Sequence, residues 1–90
     1  MKVGDLVKQW HMYVVRCADG SLYTGITTDL ERRVREHNNG KKGAKYTRSR
    51  RPVQLLHSIE CDSQSDALKR EHAFKKLSKS KKEDIVRRNQ

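Results

Sequence analysis

Trp10-His-Met-Tyr-Val-Val-Arg-Cys17, then Ala18-Asp19-Gly20, then Ser21-Leu-Tyr-Thr-Gly-Ile-Thr27 follow one another near the start of this 90-residue chain. The first and last runs are rich in β-branched and aromatic residues and read as strands, and Asp-Gly between two such runs is a hairpin signal. Loop length decides what the hairpin presents. A two-residue loop, Asp19-Gly20, would put Tyr13 and Tyr23 on opposite faces. A three-residue loop, Ala18-Asp19-Gly20 with a left-handed Gly20 and a G1 bulge, puts both tyrosines on one face, and this is the register expected.

Beyond the hairpin, Thr28-x-x-Glu31 has the form of a capping box and predicts a helix from Thr28, with Asp29 adding charge at its positive end. Asn38-Asn39-Gly40 is expected to stop it, because these residues tolerate left-handed geometry. Lys41 to Arg51 holds Lys41, Lys42, Lys45, Arg48, Arg50 and Arg51, no acid and one aromatic, Tyr46, and reads as a basic loop. After Pro52, Val53 to Ile59 reads as a third strand. Ser63 or Ser65 is expected to cap a second helix running to about Leu77, and Lys79 to Arg88 forms a short basic third helix. Met1 to Gln9 is a polar lead-in, so a single domain is expected over residues 10–88. The element order, hairpin, helix, strand, helix, places the chain in the α+β class.

Composition narrows the function classes. A chain of this size buries only about 60–65% of the surface that its unfolded form exposes, so modest stability is expected. Hydrophobic residues make up 33% and charged residues 36%, with a net charge of +10. Such an excess favours a polyanionic partner, nucleic acid first and an anionic membrane surface second, because each phosphate contact releases condensed counterions. Cys17 and Cys61 lie far apart and are read as free thiols, and His11, His37, His57 and His72 show no metal-ligand spacing. With no signal peptide and no run long enough to span a membrane, a soluble, cytoplasmic protein is expected.

Two helices carry polar residues on faces that should be apolar. At about 100° per residue, with Leu30 at zero, Val34 lies near +40°, Arg33 near −60° and His37 near −20°. With Ala67 at zero, Phe74 lies near −20° and Glu71 near +40°, inside the apolar stripe. Each has an ordinary explanation. Glu71 can pair with Lys75 one turn on, Arg33 can snorkel past a sheet edge, and His37 can sit at a helix end favoured by the dipole. An arginine, a histidine and a carboxylate all on core-facing stripes instead suggest the walls of one polar cleft, since each needs a partner if buried.

These residues carry a resemblance. Met12-Tyr13-Val14, Tyr23-Thr24-Gly25, and Leu30 to Arg33 on the following helix resemble the GIY-YIG nuclease superfamily, with Met12 in place of the first glycine. Gly43-Ala44-Lys45-Tyr46-Thr47-Arg48 with Arg51-Pro52-Val53 is similar to a narrower branch of small, stand-alone bacterial proteins resembling YhbQ. The resemblance covers roughly Trp10 to Lys82. It implies a three-stranded antiparallel sheet, the hairpin plus the third strand, flanked by helices, with the site on one sheet face.

It also implies roles. Arg33 would be the catalytic arginine, meeting two phosphate oxygens as charge builds on phosphorus. Glu71 would hold Mg²⁺ or Mn²⁺, a hard ion suited to a carboxylate and waters. Tyr13 or Tyr23 would take the proton from water, with Tyr23 favoured and with Arg33 and the metal, and His37 if protonated, lowering its affinity for the proton. Ile26 stands where some members place a lysine. DNA is the expected partner, with RNA second and a protein partner left open. Lys41, Lys42, Lys45, Tyr46, Arg48, Arg50 and Arg51, with the basic tail, would bind it weakly with respect to sequence. Three functions are weighed: an active endonuclease, a binding module that keeps the fold without the chemistry, and an RNA-binding or ribosome-associated protein.

Overall fold

In the computed structural model, which describes residues 8–88, the hairpin strands are β1 (Trp10–Arg16) and β2 (Leu22–Thr27). Tyr13 pairs with Gly25 and Val15 with Tyr23, so the loop holds three residues and both tyrosines share a face. Cys17 N–H donates to the Ser21 carbonyl at 2.8 Å and Gly20 N–H to the Cys17 carbonyl at 2.9 Å. Gly20 has φ +88°, the left-handed value such a loop requires of its last residue. Asp19 steadies the turn by accepting from the Ser21 N–H and hydroxyl.

The first helix, α1 (Leu30–Asn39), is capped one residue later than the capping box implied. Its cap is Asp29, whose carboxylate accepts the Arg32 N–H at 3.0 Å, while Thr27 Oγ1 accepts the Asp29 N–H at 3.0 Å. Glu31 instead pairs with Arg35 on the exposed side. With two threonines and an aspartate in a row, the shorter carboxylate at the third position closes the turn. The helix stops where expected but not by a left-handed residue, since Gly40 is extended at φ −94°. The carbonyls left over at this end go to Arg51, which donates to those of Glu36, His37 and Gly40.

The basic loop contains one turn of helix, α2 (Lys45–Arg48), where a plain loop was expected. The third strand is β3 (Gln54–Cys61) rather than 53–59. Val53 is withheld from it because Asn38 takes both of its backbone groups, at 2.6 and 3.0 Å. Ser63, not Ser65, caps α3 (Gln64–Lys75), which ends before Leu77, and α4 (Lys79–Arg88) has the expected bounds.

The sheet order is β2-β1-β3, antiparallel throughout. β1 is the central strand, and Met12 to Val15 are all buried. One face carries Met12 and Val14 against Ala67 and Phe74 of α3 and Val86 of α4. The other carries Tyr13, Val15 and Cys17 with Val53, against Leu30 and Val34 of α1. Burial on both faces explains why β1 reads as a continuous apolar run rather than an alternating one. Arg16 holds α4 to the sheet through two 2.7 Å bonds to Glu83 and also donates to the Gly20 carbonyl. Of the polar lead-in, residues 1–7 lie outside the described residues, and Gln9 donates to the Cys61 carbonyl at 2.8 Å. Among the described residues no helix is long and apolar enough to cross a membrane.

Candidate active site

Tyr13 organises the α1 side of the sheet. Its ring lies across Gly25 on the neighbouring strand: a Cβ built there would sit 2.5 Å from the hydroxyl and 2.8 Å from Cζ. Only glycine leaves room for the ring. The hydroxyl meets His37 Nε2 at 2.7 Å, and His37 Nδ1 meets Thr47 Oγ1 at 2.8 Å. Tyr13, His37 and Thr47 are all essentially without solvent exposure.

The directions of these bonds follow from the last link. Thr47 Oγ1 donates its single proton to the Ala44 carbonyl at 3.0 Å, so it can only accept from His37. His37 is therefore the Nδ1–H tautomer, and its bare Nε2 accepts the phenol proton. Burial, reinforced by the nearby charge of Arg33, pushes the imidazole down to about 4, so the ring is neutral at physiological pH. Burial likewise pushes the Tyr13 phenol up to about 12, with Arg33 pulling down and Tyr23 and Glu71 adding to the rise.

This fixes an acid sensitivity. Unfolded His37 takes up a proton below its ordinary value of 6.5, whereas the folded ring stays neutral down to about 4. Stability is thus full above 6.5 and declines as pH falls toward 4, by up to about 3 kcal/mol at ~1.4 kcal/mol per tenfold change in affinity. Urea denaturation at both ends of this window should show a loss about 3 kcal/mol smaller for His37→Gln than for the wild type. Equal losses would mean that the buried ring accepts a proton.

Arg33 lies on α1 beside this chain, its side chain 23% exposed. One nitrogen bonds Glu36 Oε1 at 3.1 Å and the Lys42 carbonyl at 2.8 Å. Glu36, one turn on along the same helix, is thus the anchor that aims Arg33. Tyr23 completes the group: its ring meets His37 edge-on at 5.3 Å and stacks on Tyr46 at 5.9 Å. Unlike Tyr13, it is half-buried and reaches the surface.

The structure therefore gathers Tyr13, Tyr23, Arg33 and His37. Glu71 comes from α3, whose Ala67 and Phe74 pack on the opposite face, yet its charge is felt at Tyr13. Its side chain is 20% exposed and meets Lys75 at 3.6 Å. Among the described residues there is no cluster of three His, Cys, Asp or Glu able to cage a metal. A largely desolvated carboxylate with one long ion pair fits an ion that keeps most of its own waters, as Mg²⁺ does, and does not fit zinc.

The basic segment divides. Lys41, Lys42 and Lys45 are exposed. Arg48 donates to the Lys41 and Gly43 carbonyls, Arg50 to Asp19 at 2.9 Å and to the Tyr46 carbonyl at 2.8 Å, and Arg51 caps α1. All three arginines also hold the loop together through these bonds, whereas Lys41, Lys42 and Lys45 make no ion pair among the described residues. Tyr46 is 39% exposed and engaged by Tyr23 and by Arg50, whose guanidinium carbon stands 3.9 Å from the ring centre, so it forms the site wall. Thr47 lies within the Gly43 to Arg48 motif but has no role legible there, because nothing in a threonine beside an aromatic marks it as the partner of a histidine ten residues away.

Hollows of about 340 Å³ along β3 and about 290 Å³ between β3, α3 and α4 both lie away from this group. The site is an open basic face, suited to a polymer rather than an enclosed small molecule.

Comparison with known proteins agrees with this geometry. The family model described as the GIY-YIG catalytic domain matches residues 9–84. A UPF0213 protein of Desulfotalea psychrophila is 55% identical, over 87% of this chain and 71% of that protein. Another from Haloquadratum walsbyi is 59% identical over 84% of each. Among solved structures, the UPF0213 protein of Bacillus halodurans superposes with a TM-score of 0.56 at 44% identity, covering 87% of this chain and 82% of that one. A protein from E. faecalis gives 0.58 at 45% identity, covering 88% and 84%.

Proposed function

Since the chain belongs to the GIY-YIG family of small, stand-alone catalytic domains, we propose that it is a metal-dependent endonuclease that hydrolyses phosphodiester bonds in DNA with little sequence preference. The observation that carries this is the buried Tyr13–His37–Thr47 chain, which locks one phenol and leaves Arg33 and the accessible Tyr23 beside it on an open basic face.

The residues divide the work as follows. Tyr13 keeps its proton, hydrogen-bonded to His37, so Tyr23, half-buried and reaching the surface, is the group that takes the proton from water. Arg33, held by Glu36 and the Lys42 carbonyl, presents its fork to the non-bridging oxygens as charge accumulates on them. Lys41, Lys42 and Lys45 contact flanking phosphates, making affinity fall with salt. Glu71 would hold the Mg²⁺ or Mn²⁺, which when bound supplies positive charge at the scissile phosphate. A cytoplasmic role in repair or recombination, at irregular or branched DNA, belongs to the same proposal.

The 3.6 Å contact of Lys75 with Glu71 favours a second reading, in which the fold binds nucleic acid without cutting it. A labelled panel of single-stranded, duplex and branched DNA with Mg²⁺ separates the two. The wild type should cut one class in a metal-dependent way, and Glu71→Ala should lose cutting while binding as tightly or more so. Tight binding with no cutting by the wild type would establish the second reading.

A further inference from the structure

Among the described residues β3 forms an outer edge of the sheet, and a hollow of about 340 Å³ lined by Leu55 to Ile59 runs along it. Leu55 is 37% exposed there. An apolar groove of about 290 Å³, lined in part by Met12, Ile59, Phe74 and Leu77, adjoins it. Sheet edges are ordinarily guarded by lysines, prolines or bulges. Here Pro52 precedes the strand, and the one irregularity sets Leu55 and Leu56 against Val15, which leaves the regular segment through Cys61 unguarded.

Charge makes this edge unlike the rest of the surface. The chain has 21 lysines and arginines, yet none occurs in residues 52–68, which carry Glu60, Asp62 and Asp66. The strand is thus cationic at its entry, where Arg51 bonds only neutral carbonyls and keeps its charge unpaired, and acidic at its exit, at Glu60 and Asp62. Such a pattern complements itself when reversed. A two-fold near the middle of the strand brings the acidic exit of one copy, Glu60 and Asp62, toward the entry of the other, near Pro52 and Arg51, so no like charges stand opposed.

We infer that β3 is a self-association edge, at which two copies of this chain pair antiparallel into a continuous six-stranded sheet. The two-fold is perpendicular to the sheet, so the Tyr13–His37 faces of both copies look the same way. The two β1 strands are then three strand spacings apart, about 14 Å. On the nuclease reading, which the pairing itself does not need, one duplex could lie across both sites.

Two chains of charge +10 repel each other, and salt screens that repulsion over roughly 10 Å at 0.1 M. Dimerisation should therefore strengthen with salt, opposite to DNA binding. Sedimentation equilibrium of the untagged full chain, up to hundreds of micromolar, should show the mass rising from 10.5 kDa toward twice that value. The rise should be greater at about 500 mM than at about 50 mM salt. Leu55→Lys, which supplies the missing guard, and the double variant Glu60→Arg/Asp62→Arg, which destroys the reversed complementarity, should each weaken association at least about tenfold. Both variants alter exposed side chains, and unchanged circular dichroism will confirm that they fold. A mass that stays at 10.5 kDa throughout, or a dimer that neither folded variant weakens, would overturn the inference. Because the readout is mass, its failure is distinct from a failure to cut DNA.

Discussion

Arg33→Ala is expected to lower the cleavage rate at saturating DNA by about 10²–10³-fold while weakening DNA binding by less than about tenfold. The asymmetry follows from where the guanidinium sits. It is one cation among many on a +10 chain, so the ground-state complex barely needs it. It is also the one held in position by Glu36 and the Lys42 carbonyl beside Tyr13 and His37, where charge would build. Arg33→Lys should recover affinity but little of the rate, since a point charge cannot reproduce a two-pronged contact. Equal loss of rate and affinity in Arg33→Ala would make it a binding residue. Single-turnover cleavage alongside equilibrium binding distinguishes these outcomes.

Gly25→Ala carries the second large effect, and its sign is informative. Where the backbone permits, replacing glycine with alanine stabilises by about 0.4–1 kcal/mol through the unfolded state. At Gly25, however, the new methyl would lie 2.5 Å from the Tyr13 hydroxyl and 2.8 Å from Cζ. The ring has nowhere to retreat, being 1% exposed and bonded to His37 at 2.7 Å. Overpacking of this kind costs about 1–3 kcal/mol, so net destabilisation is expected, together with loss of the Tyr13–His37 bond and of cleavage. In a Tyr13→Ala background the same substitution should cost nothing or stabilise. Urea denaturation of the four proteins closes that cycle, and an equal cost in both backgrounds would show that Gly25 is required for a reason unrelated to the ring.

Sequence alone settled a good deal. The three-residue hairpin loop followed from Asp19-Gly20 and from the need to place two tyrosines on one face, because strand parity is a counting argument. That Arg33 and His37 shared a sheet-facing stripe followed from helical periodicity, which is equally local. Helix ends were less legible. Thr27, Thr28 and Asp29 are all competent caps, and which one closes the turn depends on where β2 releases the chain. The start of β3 was hidden for a related reason, since Val53 is kept out of the strand by Asn38, fifteen residues away in sequence.

What only the tertiary structure decided is how the cations and protons are allotted. Composition shows six basic residues between Lys41 and Arg51, but whether each meets solvent or a carbonyl depends on the fold around it. Arg51 goes to the open end of α1, because half-buried carbonyls without partners cost more than a surface cation gains, while Arg50 pairs with Asp19 of the hairpin turn and Arg48 bonds carbonyls of its own loop. In the same way, no local pattern pairs His37 with Thr47, and without that pairing the tautomer and the direction of the Tyr13 proton are undetermined. Periodicity and composition specify which faces are polar and how much charge the chain carries. Donor and acceptor assignments are long-range and become defined only when the elements are packed together.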